Sequence, residues 1–350
     1  MQNAPLNSYE ARWTADGTCL SVRGVAVPLK AHLIWLGPGF PWLHYVAVRS
    51  AAERGGFEQV VLHYTDDLSA MPWFRALADV PGVECRRLDE AALLQRAGPD
   101  LASKLAKLWP HITRGAQHAD VLRTVLLYAD GGVYLDIDTV SVASFEALCA
   151  SESAGFVGEE PICYPQAVKR SRHPWVRGVA LGRALVRTLC RWAPGGWKAF
   201  RRLQHAYPHA ANQAVLGAAP QAPFLRAALE TMAATPPEAL KDRCVLGPHV
   251  IQQLLAAGGS DLPRVLPPAF FYPLPPEISA HWFRERTHGG LAEVLTPETR
   301  VVHWYASVRT RHLVDNIDPK WVRAHAKTQL ISALTLPFAD PPAISTKESG

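Results

Sequence analysis

Four side chains in one short stretch have the types and spacing to do chemistry: Asp120 and Arg123, then Asp136 and Asp138. Asp120 and Arg123 are three residues apart, so on a helix they share a face. Asp136 and Asp138 are two apart, so on an extended segment both carboxylates project to one side, while Val133, Leu135 and Ile137 fill the other. Two carboxylates delivered together at a strand end suit a hard divalent cation, whose remaining positions are filled by phosphate and water oxygens. Each piece alone has a plainer reading. Asp-x-Asp often makes a turn or a helix cap. An Asp/Arg pair at this spacing is usually a surface ion pair worth ~0.5 kcal/mol or less. Gly131-Gly132 after a helix is ordinarily a C-cap. Packing does not account for the four together.

Hydrophobic periodicity gives the elements that must present these residues. Ala119, Leu122, Val125, Leu126 and Ala129 form one stripe and predict a helix over 115–129, stopped by Asp130-Gly131-Gly132. Residues 133–138 then read as extended. Upstream, 31–36 and 59–64 read as buried strands, 42–54 as a helix ending at Gly55-Gly56, and 83–88 as a shorter third strand. Strand and helix alternating at this rhythm predict a parallel α/β sheet. Downstream, 155–159 reads as a strand, about 174–260 as mostly helical, 267–276 as a rigid aromatic loop, 300–305 as a late strand and 319–334 as a terminal helix. Lys169 to Arg172 reads as a solvated loop.

The 350 residues allow two domains or one large α/β domain. Hydrophobic residues at 48% and charged residues at 19% exclude a disordered, collagen-like or coiled-coil chain. The net charge of +5 is scattered and forms no basic stripe with interleaved aromatics, which argues against a nucleic-acid partner. Six cysteines without a Cys-x-x-Cys pair exclude a zinc knuckle or redox motif and point to thiols in a reducing compartment. The opening residues lack a basic start and an apolar core, and no apolar run reaches ~18 residues, so a cytoplasmic chain without a transmembrane segment is expected. Oligomeric state is not legible.

The segment from His118 to Asp138 resembles the glycosyltransferases with a DXD sugar-binding region. That group includes fungal α-1,6-mannosyltransferases, α-1,4-galactosyltransferases and bacterial capsule enzymes, with the glucosylating bacterial toxins more distant. The resemblance is strong over 29–160 and weak over 205–310. It implies a glycosyltransferase A-type, Rossmann-like mixed sheet flanked by helices, with a helical insertion around 165–260. Residues 1–28 would be a lead-in, with a short hairpin around Asp16-Gly17. Residues 29–335 would be one catalytic domain, and 336–350 a flexible tail. Within the domain, a nucleotide-sugar half spans about 29–160, a helical acceptor half about 161–300, and a closing strand and helix 300–335.

The resemblance also implies roles. Trp35 matches the first-strand aromatic that stacks on the nucleotide base, and Asp66 the contact to base or ribose. Asp120 and Arg123 match the helix pair that holds the donor sugar. Tyr134 and Asp136 would sit near the ribose and, through water, the metal, while Asp138 would bind Mn²⁺ or Mg²⁺ directly. Asn212 resembles the family's asparagine near the sugar and β-phosphate. His303 and Trp304 resemble the C-terminal pair that holds metal or diphosphate. Relatives tend to have Ser-Trp a few residues later, whereas here Ser307 is followed by Val308-Arg309. The implied function in carbohydrate biosynthesis is retaining transfer of a hexose, from UDP-hexose in preference to a GDP-sugar, onto a glycan or small-molecule hydroxyl.

Two other readings use the same residues. Leu135 to Val140 also fits the opening of a haloacid-dehalogenase phosphatase, with Asp136 as nucleophile and Asp138 as general acid. That reading leaves Asp120, Arg123 and the first two strands without a role. A sugar-nucleotide-binding protein without catalysis is the second, because fold does not fix activity.

Overall fold

The computed structural model describes residues 26–151, 153–285, 289–306 and 311–342. The expected N-terminal hairpin, Ser307, Arg309 and residues 343–350 lie outside them. The chain builds an α/β fold on a seven-stranded mixed sheet of order β3-β2-β1-β4-β7-β6-β8. The strands are β1 (Lys30–Trp35), β2 (Gln59–Tyr64), β3 (Val83–Arg87), β4 (Gly132–Leu135), β6 (Gly155–Pro161), β7 (His209–Ala218) and β8 (Arg264–Leu266). Strands β3, β2, β1 and β4 run parallel to one another, and β7 is antiparallel to both β4 and β6. A separate antiparallel pair joins β5 (Thr139–Ser141) to β9 (Val301–His303).

Helices cover both faces. The longer ones are α1 (Trp42–Arg54), α2 (Pro99–Leu108), α3 (Gly115–Asp130), α4 (Pro174–Trp192), α5 (Gly196–Leu203), α6 (Pro223–Ala233) and α7 (Pro248–Ala257), with α8 (Pro319–His325) and α9 (Leu330–Thr335) near the end. Alternate strand residues feed two cores, as the period of two requires. Leu33, Val133 and Leu135 pack with Leu43 and Val46 of α1, while Ile34 and Tyr134 pack with Val121, Leu122 and Val125 of α3.

The double glycine between α3 and β4 does more than end a helix. Gly131 and Gly132 have φ of +65° and +99°, and a Cβ on Gly132 would lie 2.4 Å from the Lys30 carbonyl oxygen. Only glycine lets β4 enter the sheet this close to β1. No helix among the described residues is long and apolar enough to cross a membrane.

Several sequence expectations are corrected. The 174–260 region is mostly helical as expected but also holds a strand that was not expected, the ten-residue β7 between β4 and β6. Its sequence, HAANQAVLGA, is rich in alanine and buried along most of its length, so pairing on both sides outweighs its low strand propensity. The short strand β8 was also hidden, just ahead of the aromatic loop. Residues 133–138 are not extended throughout, because β4 ends at Leu135 and a turn follows. The terminal helix is two helices, α8 and α9. Residues 336–340 are not a free tail: Phe338 is buried, and Arg49 of α1 donates to the Phe338 and Asp340 carbonyls. Lys169 sits on a short helix, Gln166–Arg170, instead of a loop. Within the aromatic loop and just after it, Phe271, Tyr272 and Trp282 are fully buried in the core.

Candidate active site

The site forms where β4 leaves the sheet. The Asp136 amide donates to the Ala214 carbonyl of β7, and Thr139 Oγ1 closes the turn by donating to the Asp136 carbonyl. Strand β5 then starts at Thr139, which lies opposite His303 in the β5–β9 register. This pairing brings a histidine 165 positions along the chain to the acidic turn. His303 Nε2 is 3.0 Å from Asp138 Oδ1 and 4.0 Å from Asp136 Oδ2. The Ala306 amide donates to Asp138 Oδ2 at 2.6 Å. The two carboxylates therefore converge through a turn and a cross-strand partner, not through strand alternation.

Helix α3 supplies the second half. Arg123 is buried and saturated: Nη2 is 3.1 Å from Asp120 Oδ1, Nη1 is 3.0 Å from Asp136 Oδ1, and Nη1 also donates to the Gln213 carbonyl at 2.9 Å. Its guanidinium lies 4.4 Å from the centre of the Tyr134 ring, and the Tyr134 hydroxyl donates to Asp136 Oδ1 at 2.9 Å. Gln213 Nε2 donates to Asp120 Oδ1 at 2.9 Å. On the far side, Glu160 accepts from the Tyr305 hydroxyl at 2.5 Å and is hydrogen-bonded to Asn212.

Four buried or half-buried carboxylates thus face one guanidinium and one imidazole, and their protonation shows the imbalance. Burial pushes the Asp120 carboxyl up to about 6 against the pull of Arg123. Burial also raises Asp136, with Asp138 adding to it against Arg123, and burial raises Glu160. Asp138 goes the other way: burial opposes its charge, but His303 and the Ala306 amide hold its carboxyl below the usual range. Burial opposes a charged His303, but Asp138, Asp136 and Glu160 together raise it. Arg123 stays charged because Asp136 and its other anionic neighbours outweigh its burial. Ligand atoms of Asp136, Asp138 and His303 lie within 4.8 Å of one another. Two carboxylate oxygens and an imidazole nitrogen in a carboxylate-rich pocket are a donor set suited to a divalent cation. Of the groups in this site, these three could hold one.

Other expected residues are distributed as follows. Trp35 ends β1, half-buried, with its ring 4.3 Å from that of His44 and 6.4 Å from that of Phe40. Asp66 follows β2 at the same sheet end, where Trp35 pairs in register with Tyr64, and accepts from Thr65 Oγ1. Asn212 lies on β7, its Oδ1 accepting from the Ala214 amide. Trp304 is buried, its ring 5.8 Å from that of Phe283 and 6.5 Å from that of His44. Ser307 lies outside the described residues.

Sequence reasoning missed Glu160, Tyr305 and Gly247, and it marked Gln213 only together with Asn212, as part of the segment near the sugar and β-phosphate. A Cβ on Gly247, which caps α7, would stand 2.5 Å from Asp120 Oδ2 and 2.7 Å from Gln213 Nε2. Glu160 was visible only beside Glu159, and nothing local marked which of the two turns inward.

Residues 58–154 match the family of the glycosyltransferase sugar-binding region containing the DXD motif. The resemblance read from the sequence holds over that segment, which spans α3, β4 and the acidic turn. No curated protein matches the chain. Among solved structures it is similar to the PaToxG glycosyltransferase, at 16% identity over 66% of this chain and 70% of that one, with a TM-score of 0.44. It is similar to mouse xyloside xylosyltransferase 1 in its apo form, at 13% identity over 78% and 97%, with a TM-score of 0.37. The UDP-bound glycosyltransferase domain of the YGT toxin is similar at 9% identity over 59% of this chain and 62% of that domain, with a TM-score of 0.32.

Proposed function

We propose that this chain is a divalent-metal-dependent glycosyltransferase of the A-type fold. It moves a hexose from a nucleoside diphosphate sugar, UDP-hexose in preference to a GDP-sugar, to a hydroxyl on a glycan or small molecule. Configuration is retained, so an α-donor gives an α-glycoside. The observation that carries this reading is the convergence of Asp136, Asp138 and His303 beside the buried Asp120–Arg123 pair, at the carboxyl end of a parallel strand. Ligands of open α/β sheets bind at that end.

Mn²⁺ or Mg²⁺ held by Asp136, Asp138 and His303 would supply positive charge to the departing diphosphate. The chain's own groups do the rest. Arg123 presents a fixed cation in a water-poor site, where preorganised charge acts most strongly on developing negative charge. Asp120 is anchored at Oδ1 by Arg123 and Gln213 and orients the sugar hydroxyls through Oδ2, which fixes the anomeric carbon toward the acceptor. Trp35 and Asp66, at the same sheet end, receive the nucleoside, and Asn212 lies toward the sugar and β-phosphate. The acceptor oxygen bonds to the anomeric carbon on the face from which the phosphate oxygen departs, and its proton passes to that oxygen. No carboxylate serves as nucleophile, so a trapped glycosyl adduct on Asp120, Glu159 or Glu160 would contradict the scheme. The phosphatase reading needs Asp136 as a nucleophile, yet both Arg123 and Tyr134 already bind its Oδ1.

The test is donor hydrolysis with UDP-glucose, UDP-galactose, UDP-N-acetylglucosamine and GDP-mannose, each with Mn²⁺, Mg²⁺ or chelator. Turnover of one donor that needs metal supports the proposal and names the sugar. Turnover of p-nitrophenyl phosphate alone would replace it with a phosphatase. Donor binding without turnover on any acceptor would leave a binding protein.

A further inference from the structure

Helix α4 is built inside out. Its 19 residues run about 28 Å at the usual rise of ~1.5 Å per residue. Trp175, Leu181, Leu185, Leu189 and Trp192 fall on one face, and that face points to solvent: the two tryptophans are 75% and 70% exposed, Leu185 59% and Leu189 70%. The polar side turns inward instead. Arg187 and Arg191 reach back into the protein and pair with Glu277, at 2.9 Å and 3.4 Å. A surface helix normally does the reverse. A continuous apolar face of this size on a folded chain marks an interaction surface.

Charge identifies the occupant. Between Glu160 and Glu230 the sequence holds no Asp or Glu but eleven Lys and Arg. Exposed Lys169, Arg172 and Arg177 lie at or before the start of α4, and exposed Arg202 lies on α5, which packs against it. A second copy of this chain would bring two arginine-edged faces together, which like-charge repulsion disfavours. Tryptophan at both ends of an apolar face with basic residues at its margins suits the boundary between headgroups and acyl chains. Anionic headgroups attract nearby Lys and Arg side chains. We propose that α4 docks this protein in plane onto an anionic phospholipid membrane surface, with Trp175, Leu185, Leu189 and Trp192 entering the interface and the flanking arginines meeting the headgroups. The helix lies on the surface and does not span it.

The test is flotation of the full chain with vesicles of pure phosphatidylcholine, or of phosphatidylcholine carrying about 30% phosphatidylglycerol as the anionic component. The wild-type chain should float with the anionic vesicles, much less with the neutral ones, and less at high salt. The double variant Leu185→Ser/Leu189→Ser should bind about tenfold more weakly, because two apolar anchors are lost. Both side chains are exposed, so the variant's circular dichroism and donor hydrolysis should match wild type. Failure of wild type to float with anionic vesicles would overturn the proposal, as would equal flotation of the variant. A wild-type dimer by light scattering that the variant dissociates would overturn it too, by giving the face to a second copy. Vesicle binding is read without any donor, so loss of the proposed transferase activity would leave this result standing.

Discussion

Gly247→Ala isolates the geometry of the Asp120–Arg123 pair, proposed to hold the donor sugar, without replacing a charged group. The added Cβ would stand 2.5 Å from Asp120 Oδ2, where ordinary contact begins at 3.4 Å, so the carboxylate or the α7 cap must give by about 0.9 Å. Neither side yields freely: Asp120 is held by Arg123 at 3.1 Å and Gln213 at 2.9 Å, and Gly247 sits at the start of α7. A misplacement near 1 Å at a positioning group lowers turnover by about 10²-fold, equivalent to ~2.7 kcal/mol in the barrier. Overpacking of this kind costs ~1–3 kcal/mol of stability, so the variant should fold and show a lowered melting temperature. Gly178→Ala and Gly182→Ala on α4 are the controls, since a Cβ at either meets nothing within 4 Å. These two should keep full activity and gain up to about 1 kcal/mol from helix propensity. The assay is kcat/KM for metal-dependent donor hydrolysis, with thermal unfolding run in parallel. Wild-type turnover in Gly247→Ala would refute the claim that the position of Asp120 governs the reaction.

Arg123→Ala should strip donor hydrolysis and destabilise the fold by about 3–5 kcal/mol, because it leaves buried carboxylates uncompensated. Denaturant unfolding reads the second effect, and Arg123→Lys should restore charge without the bidentate fork. Stability should also fall in mild acid. Burial lowers His32 and His44 to about 4 and His63 to about 3. Below about 6.5 the unfolded chain takes up protons that the folded chain refuses. The contribution is therefore complete above that pH and shrinks by about 1.4 kcal/mol per pH unit for each histidine, down to its folded value. Calorimetry from pH 7 to pH 5 should show a falling melting temperature, with a shallower slope in His44→Phe.

Legibility in the sequence tracked how local each signal was. Strands β1 and β2, helix α1 and helix α3 were readable because an uninterrupted apolar run or a 3.6-residue stripe is a property of neighbouring residues. Asp120, Arg123, Asp136 and Asp138 were readable for the same reason: their spacing is contained in one helix–strand unit. Strand β7 was hidden because its residues are strand-like only when paired on both sides by β4 and β6. That one omission also hid what Gln213 touches: its amide fixes Asp120, and its carbonyl accepts from Arg123. His303 was legible only through family resemblance, since β5–β9 pairing across the length of the chain has no local signature.

The most direct measurement of the central claim is a calorimetric titration of Mn²⁺ into the wild-type chain and into Asp138→Asn, each with UDP present. Binding in wild type should be weaker in the variant by at least about 10–100-fold, the loss seen even for outer-shell partners of metal ligands. Equal affinity in the two proteins would contradict the assignment of Asp136, Asp138 and His303 as the metal-holding group.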